Sequence, residues 1–484
     1  MEPLEIKAFQ HKVPDVQKRG WYPPLEKIVG ADNLLTGFAD LLAYGRGRWP
    51  YGNLQYRLGK FPFVPPLSVA VPGTYEEVAA ILKLANKHKL VVVPYGLGSG
   101  VLGGAVPLGE AITIDLKRLN RMLNIDEISC LATVQAGMNG EIFEAALNNR
   151  RLTMGHFPQS LNISSVGGWL SCRSAGQASS RYGKIEDMVV GLKAVLPAGE
   201  FVDVRPAPRR AVGPSIKDIF VGAEGTLGII LEATLRVLPY PERETVHVIG
   251  YPDYVTGLEA LRKIMQAERR PAVARLYDEH EAKSRIAEFP EYTQNPCIVM
   301  LTFNGTKELV EVEERLSLKI CKDLGGVEGS PEPAYKWMQH RFEALSAKPI
   351  FEGRMMDTIE IAAPWLALPD IYEGMKEACL AVRPDIHFGA HWSHAYTDGA
   401  CMYVTFIIPA PDPAQAAAEH ARVWEGCTNA CRRAGGTLSH HHGVGYFRGP
   451  WMVEELGQGH KMLQGLKDFV DPNHIMNPGK LGLK

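Results

Sequence analysis

The sequence predicts an α+β protein whose second half holds an antiparallel sheet covered by helices. The chain has 484 residues, 46% of them hydrophobic and 22% charged, and this length suits two or three domains of about 150 residues each. Apolar stretches with the lengths of strands and helices alternate from residue 67 onwards. Between residues 244 and 410 their order is typical of an antiparallel sheet with helices on one face.

The chain begins with an aromatic-rich arm over residues 1–58, in which Pro23 and Pro24 break any long helix. The regular pattern starts behind the arm. Thr74 and Glu77 form a capping box, which opens a helix. The sequence therefore predicts, in order, a strand over 67–72, a helix from Thr74 to Lys89 and a short buried strand over 90–94.

Pro239 and Pro241 mark the end of a first domain over residues 59–243. A second domain over 244–410 is predicted to contain helices over 254–269 and 308–324, and strands over 271–277, 297–303, 358–362 and 401–408. The last segment, 411–484, begins with an Ala-rich helix over Pro413–Arg433, since a proline opens it and Gly435-Gly436 follow it. We expect this segment to return to the first domain.

Composition and charge exclude several classes of protein. The formal net charge is −2, so no overall basic field is available to hold nucleic acid. The first residues lack the apolar core of a signal peptide, and no window approaches the ~18 uninterrupted apolar residues of a membrane span. The eight cysteines include no C-x-x-C pair, which favours buried free thiols over iron–sulfur ligands. We expect a cytoplasmic protein.

Three loops of small residues carry the first chemical signal. The loop Pro94–Gly104 follows a predicted strand, and its glycines allow backbone N–H groups to converge on a phosphate. The loop Gly155–Trp169 adds hydroxyls, an amide and paired glycines, Cys172–Gly176 comes shortly after it, and Glu224–Ile230 closes the series. Any one of these loops is also typical of a mobile surface turn. Together they imply that backbone from several places surrounds one large polar ligand, as a dinucleotide cofactor requires.

The order of these motifs resembles the FAD-binding domain of the vanillyl-alcohol oxidase and p-cresol methylhydroxylase (PCMH) superfamily. The similarity rests on Ser165–Gly168, on Tyr182-Gly183 with Asp187, on Glu224–Gly228 and on the terminal stretch 470–480. It implies a two-subdomain PCMH-type FAD-binding domain over 59–243, a substrate cap domain over 244–410, and flavin contacts at Pro94, Tyr95, Gly96, Leu97, Gly98, Ser99, Gly100, Gln159, Ser160, Ser164, Ser165, Gly168, Cys172, Arg173, Ser174, Ala175, Glu224, Gly225, Ile229 and Ile230. The pyrophosphate loop has no His or Cys, so we expect FAD to be bound non-covalently.

A run of three histidines, His440-His441-His442, is the second chemical signal. Three adjacent imidazoles cannot all be core filler, because each needs hydrogen-bond partners. In an extended segment His440 and His442 face one side and His441 the other. A general-base site, a metal site and a solvated loop are the three interpretations, and neutral imidazole suits proton abstraction near pH 7. A metal would need further ligands, for which His387, His391 and His394 are candidates.

The stretch Ser439–Gly445 resembles the alkyldihydroxyacetonephosphate synthase family, whose members exchange the acyl chain of acyl-dihydroxyacetonephosphate for a fatty alcohol and so form an ether bond. The stretches 271–278, 363–365 and 398–403 are similar to the same family. The resemblance implies that Tyr403 and His440–His442 act at the reacting carbon and that Arg275 lies in the active site. It also implies that the protein is a homodimer. In the reaction of this family, the flavin ends at the redox level at which it began.

The residues themselves agree with these roles. In the strand 401–408, Tyr403 shares the more polar face with Cys401 and Thr405, so its hydroxyl is placed to bond a substrate. Arg275 stands in an otherwise apolar strand, where an unpaired guanidinium is costly, so it should meet an anion. A structural salt bridge with Asp278 or Glu279 is the alternative.

Several positions depart from the synthase family. The first loop, Gly96-Leu97-Gly98-Ser99-Gly100, is nearer to FAD-linked 2-hydroxy-acid dehydrogenases, and Gln159 stands where an aspartate is typical. The family has an arginine before the stretch 363–365, and either Arg341 or Arg354 could correspond to it. His441 replaces the glutamate that the dehydrogenases carry before His-Gly, which removes a metal ligand, so no metal site is predicted.

These observations favour an FAD-dependent alkyldihydroxyacetonephosphate synthase-like transferase. The alternative is an FAD-linked dehydrogenase or oxidase of a D-2-hydroxy acid or alcohol, which passes hydride to flavin N5, and a flavoprotein that mainly relays electrons is a third possibility. The expected partner is a small-molecule or lipid-phosphate substrate, with no nucleic acid. A lipid substrate makes peripheral membrane contact plausible, and the amphipathic residues 25–45 are its candidate segment.

Overall fold

Two small sheets and two short paired strands come from the first half of the chain. The computed structural model describes residues 15–57, 64–343 and 353–484, so the first residues of the expected arm lie outside the described part. The strands of this half are β1 Leu34–Leu35, β2 Ser68–Ala70, β3 Val91–Tyr95, β4 Ala111–Asp115, β5 Met122–Asp126, β6 Leu131–Gln135, β7 Leu152–Thr153, β8 Val189–Val195, β9 Phe201–Val204, β10 Ile229–Arg236 and β11 Leu238–Pro239. The sheets have the orders β1-β2-β4-β3 and β5-β6-β10-β8-β9, and β11 pairs with β7.

The helices of this half are short apart from the one that the capping box predicts. They are α1 Tyr22–Val29, α2 Phe38–Tyr44, α3 Pro50–Arg57, α4 Tyr75–His88, α5 Gly140–Asn148, α6 Val166–Cys172, α7 Ser179–Tyr182, α8 Ile185–Met188 and α9 Lys217–Phe220. Thr74 Oγ1 accepts the N–H of Glu77 at 3.1 Å, and α4 ends where Lys89 turns left-handed at φ 52°. The helix that the capping box predicts is confirmed.

Much of the apolar side of the stretch 25–45 packs inside the protein. Leu25, Val29, Leu34 and Leu41 are buried, whereas Ile28, Leu35 and Leu42 are partly exposed. The amphipathic pattern therefore reflects packing against the protein interior, and the expected contact of this segment with a bilayer stays a prediction. Within the described residues, no helix is long and apolar enough to cross a bilayer.

The second half builds one seven-stranded sheet. Its strands are β12 Arg243–Tyr251, β13 Val273–Tyr277, β14 Cys297–Gly305, β15 Val327–Glu328, β16 Arg354–Pro364, β17 His387–Ala395 and β18 Gly399–Pro409. Their order is β15-β12-β14-β13-β17-β18-β16, and all neighbours are antiparallel. The helices that accompany it are α10 Tyr254–Gln266, α11 Glu279–Ile286, α12 Lys307–Asp323, α13 Glu332–His340 and α14 Leu368–Val382. The predicted α+β class, with a helix-covered antiparallel sheet, is confirmed.

The C-terminal segment returns to the first half. It contains α15 Pro413–Arg433, α16 Met452–Leu456 and α17 Gln458–Val470. Between α15 and α16, Thr437 pairs with Ala362 of β16, and near the C-terminus Met476 pairs with Val92 of β3. The loop with the three histidines, 439–445, therefore starts at the edge of the large sheet and is followed by a segment that returns to the first sheet.

Candidate active site

A cavity of about 820 Å³ brings the three small-residue loops together with the large sheet. Its wall includes almost every position that the sequence assigns to the cofactor, namely Pro94–Gly100, Gln159, Ser160, Ser164, Ser165, Gly168, Cys172, Ser174, Ala175, Glu224, Gly225, Ile229 and Ile230. Loops that lie about 130 positions apart in sequence thus surround one space large enough for a dinucleotide.

Arg173 is the exception among the loop residues. Its backbone is left-handed at φ 53° and ends α6, and its guanidinium pairs with Glu186 at 3.4 Å. Arg173 does not belong to the cavity wall. Its expected flavin contact therefore has no geometric basis in this structure, because the turn at the helix end directs the side chain to Glu186.

The first loop presents free backbone donors to the cavity. Among the described residues, none of the N–H groups of residues 96–100 donates to another part of the protein. Gly98 is left-handed at φ 68°, and a Cβ there would lie 1.9 Å from the Tyr95 hydroxyl oxygen. A Cβ on Gly96 would lie 2.3 Å from Ser165 Oγ. These glycines are required by the fold, and their unpaired N–H groups fit the pyrophosphate of a dinucleotide.

The second loop continues into α6 through a side-chain cap. Ser165 Oγ accepts the N–H of Gly168 at 3.3 Å and so fixes the start of the helix. A Cβ on Gly167 would lie 2.7 Å from that of Ala136, so only glycine lets α6 pack this closely on the end of β6. The small residues therefore position Ser164, Ser165 and Gly168 at the cavity wall.

Glu224 connects the third loop to the histidine loop. Its carboxylate is buried and accepts the N–H groups of Val444 at 2.6 Å and Gly445 at 2.8 Å. Burial raises the pKa of Glu224 to about 7, although these two hydrogen bonds oppose the shift. The cofactor loops and the histidine loop are thus one connected unit.

The histidine run is folded around a second buried carboxylate, Glu360 of β16. Glu360 accepts the backbone N–H groups of His440 and His442 and the hydroxyl of Ser439. Arg448 donates to the same carboxylate at 2.7 Å and to the Gly443 carbonyl at 3.1 Å. Despite burial, Arg448 and the nearby imidazoles hold the pKa of Glu360 below its usual range.

These bonds bend the run, so the expected alternation of the three imidazoles is wrong. The backbone bends at residues 440–442 instead of running extended, since Glu360 gathers two of its N–H groups on one side. His441 and His442 both line the cavity, whereas His440 does not. Burial lowers the pKa of all three imidazoles, so they are neutral near pH 7.

His440 belongs to a hydrogen-bonded chain behind the cavity. Its Nδ1 lies 3.0 Å from His441 Nδ1, and its Nε2 lies 2.8 Å from the Tyr396 hydroxyl. Ser179 Oγ lies 3.1 Å from that hydroxyl and 2.7 Å from Nδ1 of His394, a cavity residue. His440 therefore connects two cavity-lining imidazoles, His441 and His394, without reaching the cavity itself.

Tyr403 and Arg275 both line the cavity from the large sheet. The Tyr403 hydroxyl donates to Thr358 Oγ1 at 3.0 Å, and its ring stacks on His391 at 4.8 Å between centroids. Burial raises the pKa of Tyr403, so it stays protonated. As the strand pattern predicts, Met402, Val404 and Phe406 lie on the other face, in the hydrophobic core between the large sheet and its helices.

Arg275 forms no salt bridge with Asp278 or Glu279. Its Nε donates to the Tyr277 hydroxyl at 2.6 Å, and its Nη2 lies 2.6 Å from His391 Nε2. His391 Nδ1 lies 2.8 Å from Glu281, and burial lowers the pKa of His391 to about 4. His391 is therefore neutral, with Nδ1 donating to Glu281 and Nε2 accepting from Arg275.

The three histidines of β17 do not converge on one point. His387 is exposed at the start of the strand, and His391 is held between Arg275 and Glu281. Instead, ring nitrogens of His394, His440 and His441 lie within 4.8 Å of one another, which is close enough for one metal ion. Hydrogen bonds to Ser179, Tyr396 and each other already engage nitrogens of these rings.

Sequence reasoning missed the residues that hold the site together. Glu360 and Arg448 are both buried. The available signal was the position of Glu360 between Ile359 and Ile361 in a predicted strand. A carboxylate buried in such a strand needs a positively charged or hydrogen-bonding partner. Of the two competing arginines, Arg341 lines the cavity and Arg354 does not.

Comparison with known proteins agrees with this geometry. The family model of the FAD binding domain matches residues 66–205, and that of the C-terminal domain of FAD linked oxidases matches residues 240–481. The chain belongs to the FAD-linked oxidase family. FAD is accordingly the cofactor of this protein, and the free N–H groups and glycines of the first loop fit it.

Individual relatives match nearly the whole chain. Alkyldihydroxyacetonephosphate synthase of Dictyostelium discoideum is 29% identical over 88% of this chain and 75% of its own. The uncharacterized FAD-linked oxidoreductase YgcU of Escherichia coli K12 is 32% identical over 94% of this chain and 97% of its own. A solved structure of alkyldihydroxyacetonephosphate synthase superposes with a TM-score of 0.80 at 26% identity, covering 95% of this chain and 84% of that one.

Proposed function

We propose that this protein is an alkyldihydroxyacetonephosphate synthase-like transferase, which exchanges the acyl chain of acyl-dihydroxyacetonephosphate for a fatty alcohol. The observation that carries the proposal is the convergence of His441, His442, Tyr403 and Arg275 on the cavity that the cofactor loops surround. In this exchange the bond from carbon 1 to the acyl oxygen breaks, and a bond from carbon 1 to the alcohol oxygen forms. The fatty acid leaves as a carboxylate, and the alcohol proton must be accepted.

The residues of the chain supply the proton chemistry and the orientation. Neutral His441 and His442 can accept a proton from carbon 1 or from the alcohol. Tyr403, which stays protonated, can turn its single O–H from Thr358 Oγ1 to an oxygen of the substrate. Arg275, held by neutral His391, orients the anionic end. Bound FAD supplies a ring that takes up and returns an electron pair.

The comparisons support this proposal at the level of relatives. The Dictyostelium protein and the solved structure both carry the name alkyldihydroxyacetonephosphate synthase. The stretch Ser439–Gly445, through which this chain resembles the synthase family, supplies His441 and His442 to the cavity.

A second candidate is an FAD-linked dehydrogenase or oxidase of a hydroxy acid. YgcU, which matches along nearly its whole length, is named an oxidoreductase, and the loop 96–100 has the glycine spacing typical of 2-hydroxy-acid dehydrogenases. In this reaction the same imidazoles accept the hydroxyl proton while hydride passes to FAD.

An anaerobic experiment separates the two candidates. Holoenzyme is mixed with acyl-dihydroxyacetonephosphate and labelled fatty alcohol, and in parallel with simple D-2-hydroxy acids, while the flavin spectrum is followed. The synthase proposal predicts label in the product without net flavin reduction. Bleaching by a hydroxy acid, with no exchange, would refute it in favour of the dehydrogenase.

A variant tests the role of the histidine run. His442→Ala should abolish turnover and keep the flavin stoichiometry, because His442 lines the cavity on the side of the large sheet. His88→Ala, which changes an exposed histidine on α4, is the matched control and should behave like the wild type. Loss of flavin in His442→Ala would instead show that the run positions the cofactor.

A further inference from the structure

Three arginines share one wall of the cavity, on the side of the large sheet. Arg275 belongs to β13, Arg285 to α11, and Arg341 follows the end of α13. Among the described residues, none of the three guanidiniums forms an ion pair with a carboxylate. Cationic groups inside a protein are normally paired, because an unpaired buried charge is costly.

Arg285 is the least satisfied of the three. It is partly buried, and its Nε lies out of contact with solvent without an acceptor among the described residues. Its guanidinium lies 4.5 Å from the centroid of the Tyr277 ring, so the ring fixes its position without using its hydrogen-bond donors. An arginine held in this way at a cavity wall has donors available for a ligand.

Two aromatic rings keep the arginines close together. Arg275 lies 5.1 Å from the centroid of Tyr277 and 5.3 Å from that of Trp337. Arg285 shares the Tyr277 ring, and Arg341 lies 6.0 Å from the Trp337 ring. Because each arginine shares a ring with a neighbour, the three can reach the oxygens of one small anion.

The charges around this wall leave it positive. Glu281 acts on Arg285 through space and is held at 2.8 Å by the N–H of His391, and Glu244 acts on Arg341 through space. Lys336 and Glu288, which also line this wall, neutralise each other at 2.7 Å. Three guanidiniums against the two carboxylates Glu281 and Glu244 therefore leave one positive charge, and within the described residues the guanidinium donors are not used by an ion pair.

We propose that Arg285, together with Arg275 and Arg341, forms a subsite that reads a dianion, so the enzyme selects a phosphate monoester over singly charged esters and carboxylates. The proposal rests on the proposed function in that its ligand is the head group of the substrate. Arginine suits this task because its planar fork binds two phosphate oxygens at once. The sequence singles out Arg275 and Arg341 but gives no signal for Arg285, which stands in a stretch of charged residues.

Calorimetric titration of the holoenzyme at pH 8 tests the subsite. The probes are glycerol 3-phosphate, a dianion at this pH, and its methyl phosphodiester, a monoanion. The wild type should bind the dianion more tightly. Arg285→Gln should weaken dianion binding about 10- to 100-fold, the effect of a lost charge-assisted contact, and change diester binding much less. Arg285→Lys, which keeps the charge but not the fork, should lie between them.

Lys283→Gln is the matched control, since it removes the same charge from an exposed position on the same helix, away from the cavity. It should leave both affinities unchanged. The subsite is refuted if the wild type shows no preference, if Arg285→Gln weakens both probes equally, or if Lys283→Gln has the same effect. If the preference depends on Arg285 but no acyl exchange occurs, the subsite stands and the synthase proposal fails.

Discussion

Replacing Glu360 by glutamine tests whether one buried carboxylate holds the histidine run in its active shape. Glu360 is 0% exposed and accepts from His440, His442, Ser439 and Arg448. The amide keeps the shape of the side chain, but it turns one acceptor into a donor that faces other donors. It also leaves the Arg448 guanidinium, which is 1% exposed, without a counter-charge.

The expected loss of stability follows from that uncompensated charge. Breaking a buried ion pair from one side costs about 3–5 kcal/mol, whereas replacing both partners by apolar groups is often neutral. Glu360→Gln should therefore lower the free energy of unfolding by about 3–5 kcal/mol. In the double variant Glu360→Leu with Arg448→Met, much of this loss should return, but turnover should stay low because the N–H groups of the run still lack their acceptor.

Denaturant unfolding and turnover at saturating substrate are measured side by side. Glu419→Gln is the control, since it breaks a contact of another buried carboxylate with Arg383 away from the histidines, and it should change stability with little effect on turnover. If Glu360→Gln loses stability but keeps full turnover per bound flavin, the carboxylate is structural and does not position the imidazoles.

Three further variants test other parts of the site. Tyr403→Phe, which removes the hydroxyl that donates to Thr358, should lower turnover roughly 100-fold or more with unchanged flavin content; normal turnover would remove Tyr403 from the chemistry. Gly98→Ala should release flavin, measured by the absorbance of the purified protein, because the new Cβ meets the Tyr95 hydroxyl. Full flavin occupancy in this variant would contradict the role of the first loop in binding the cofactor. Burial lowers the pKa of His156 to about 3, so the unfolded state, with a pKa near 6.5, gains a proton first and stability falls as pH drops below about 6.5. Between pH 7 and pH 5, His156→Gln should lose about 2 kcal/mol less unfolding free energy than the wild type, and equal losses in urea titrations would refute this.

The elements that the sequence predicted are those whose ends carry their own signals. The helix Pro413–Arg433 has a proline at its start, an Asp412 cap and glycines behind its end, and the structure reproduces its limits. The strand β17 was not predicted, since its histidines, serine and glycine break the apolar pattern. Apart from the exposed His387, these polar residues are nevertheless buried, because β17 contributes to the wall of the cavity. The helix α11 was missed for a similar reason, although Asp278 caps it by accepting the N–H of Glu281.

In the candidate site, too, some parts could be predicted from the sequence and others could not. The three cofactor loops were predictable because glycines and hydroxyls in sequence report a close approach of backbone to ligand. The contacts that shape the histidine run were not, since Glu360 lies 80 positions before His440. Periodicity carries no information about which loop a buried carboxylate will meet. The same limit applied to Arg285, whose role depends on the rings of neighbouring elements.

The loop 440–445 is held by carboxylates from both halves of the molecule, and this explains how the site keeps its geometry. Glu224, from a loop of the cofactor cradle, accepts the N–H groups of Val444 and Gly445, while Glu360, from the large sheet, accepts those of His440 and His442. The imidazoles are therefore fixed relative to the flavin and to the substrate wall at once. Since neither carboxylate uses a ring nitrogen of His441 in these bonds, the loop is positioned through its backbone, and Nε2 of His441 stays available for proton transfer.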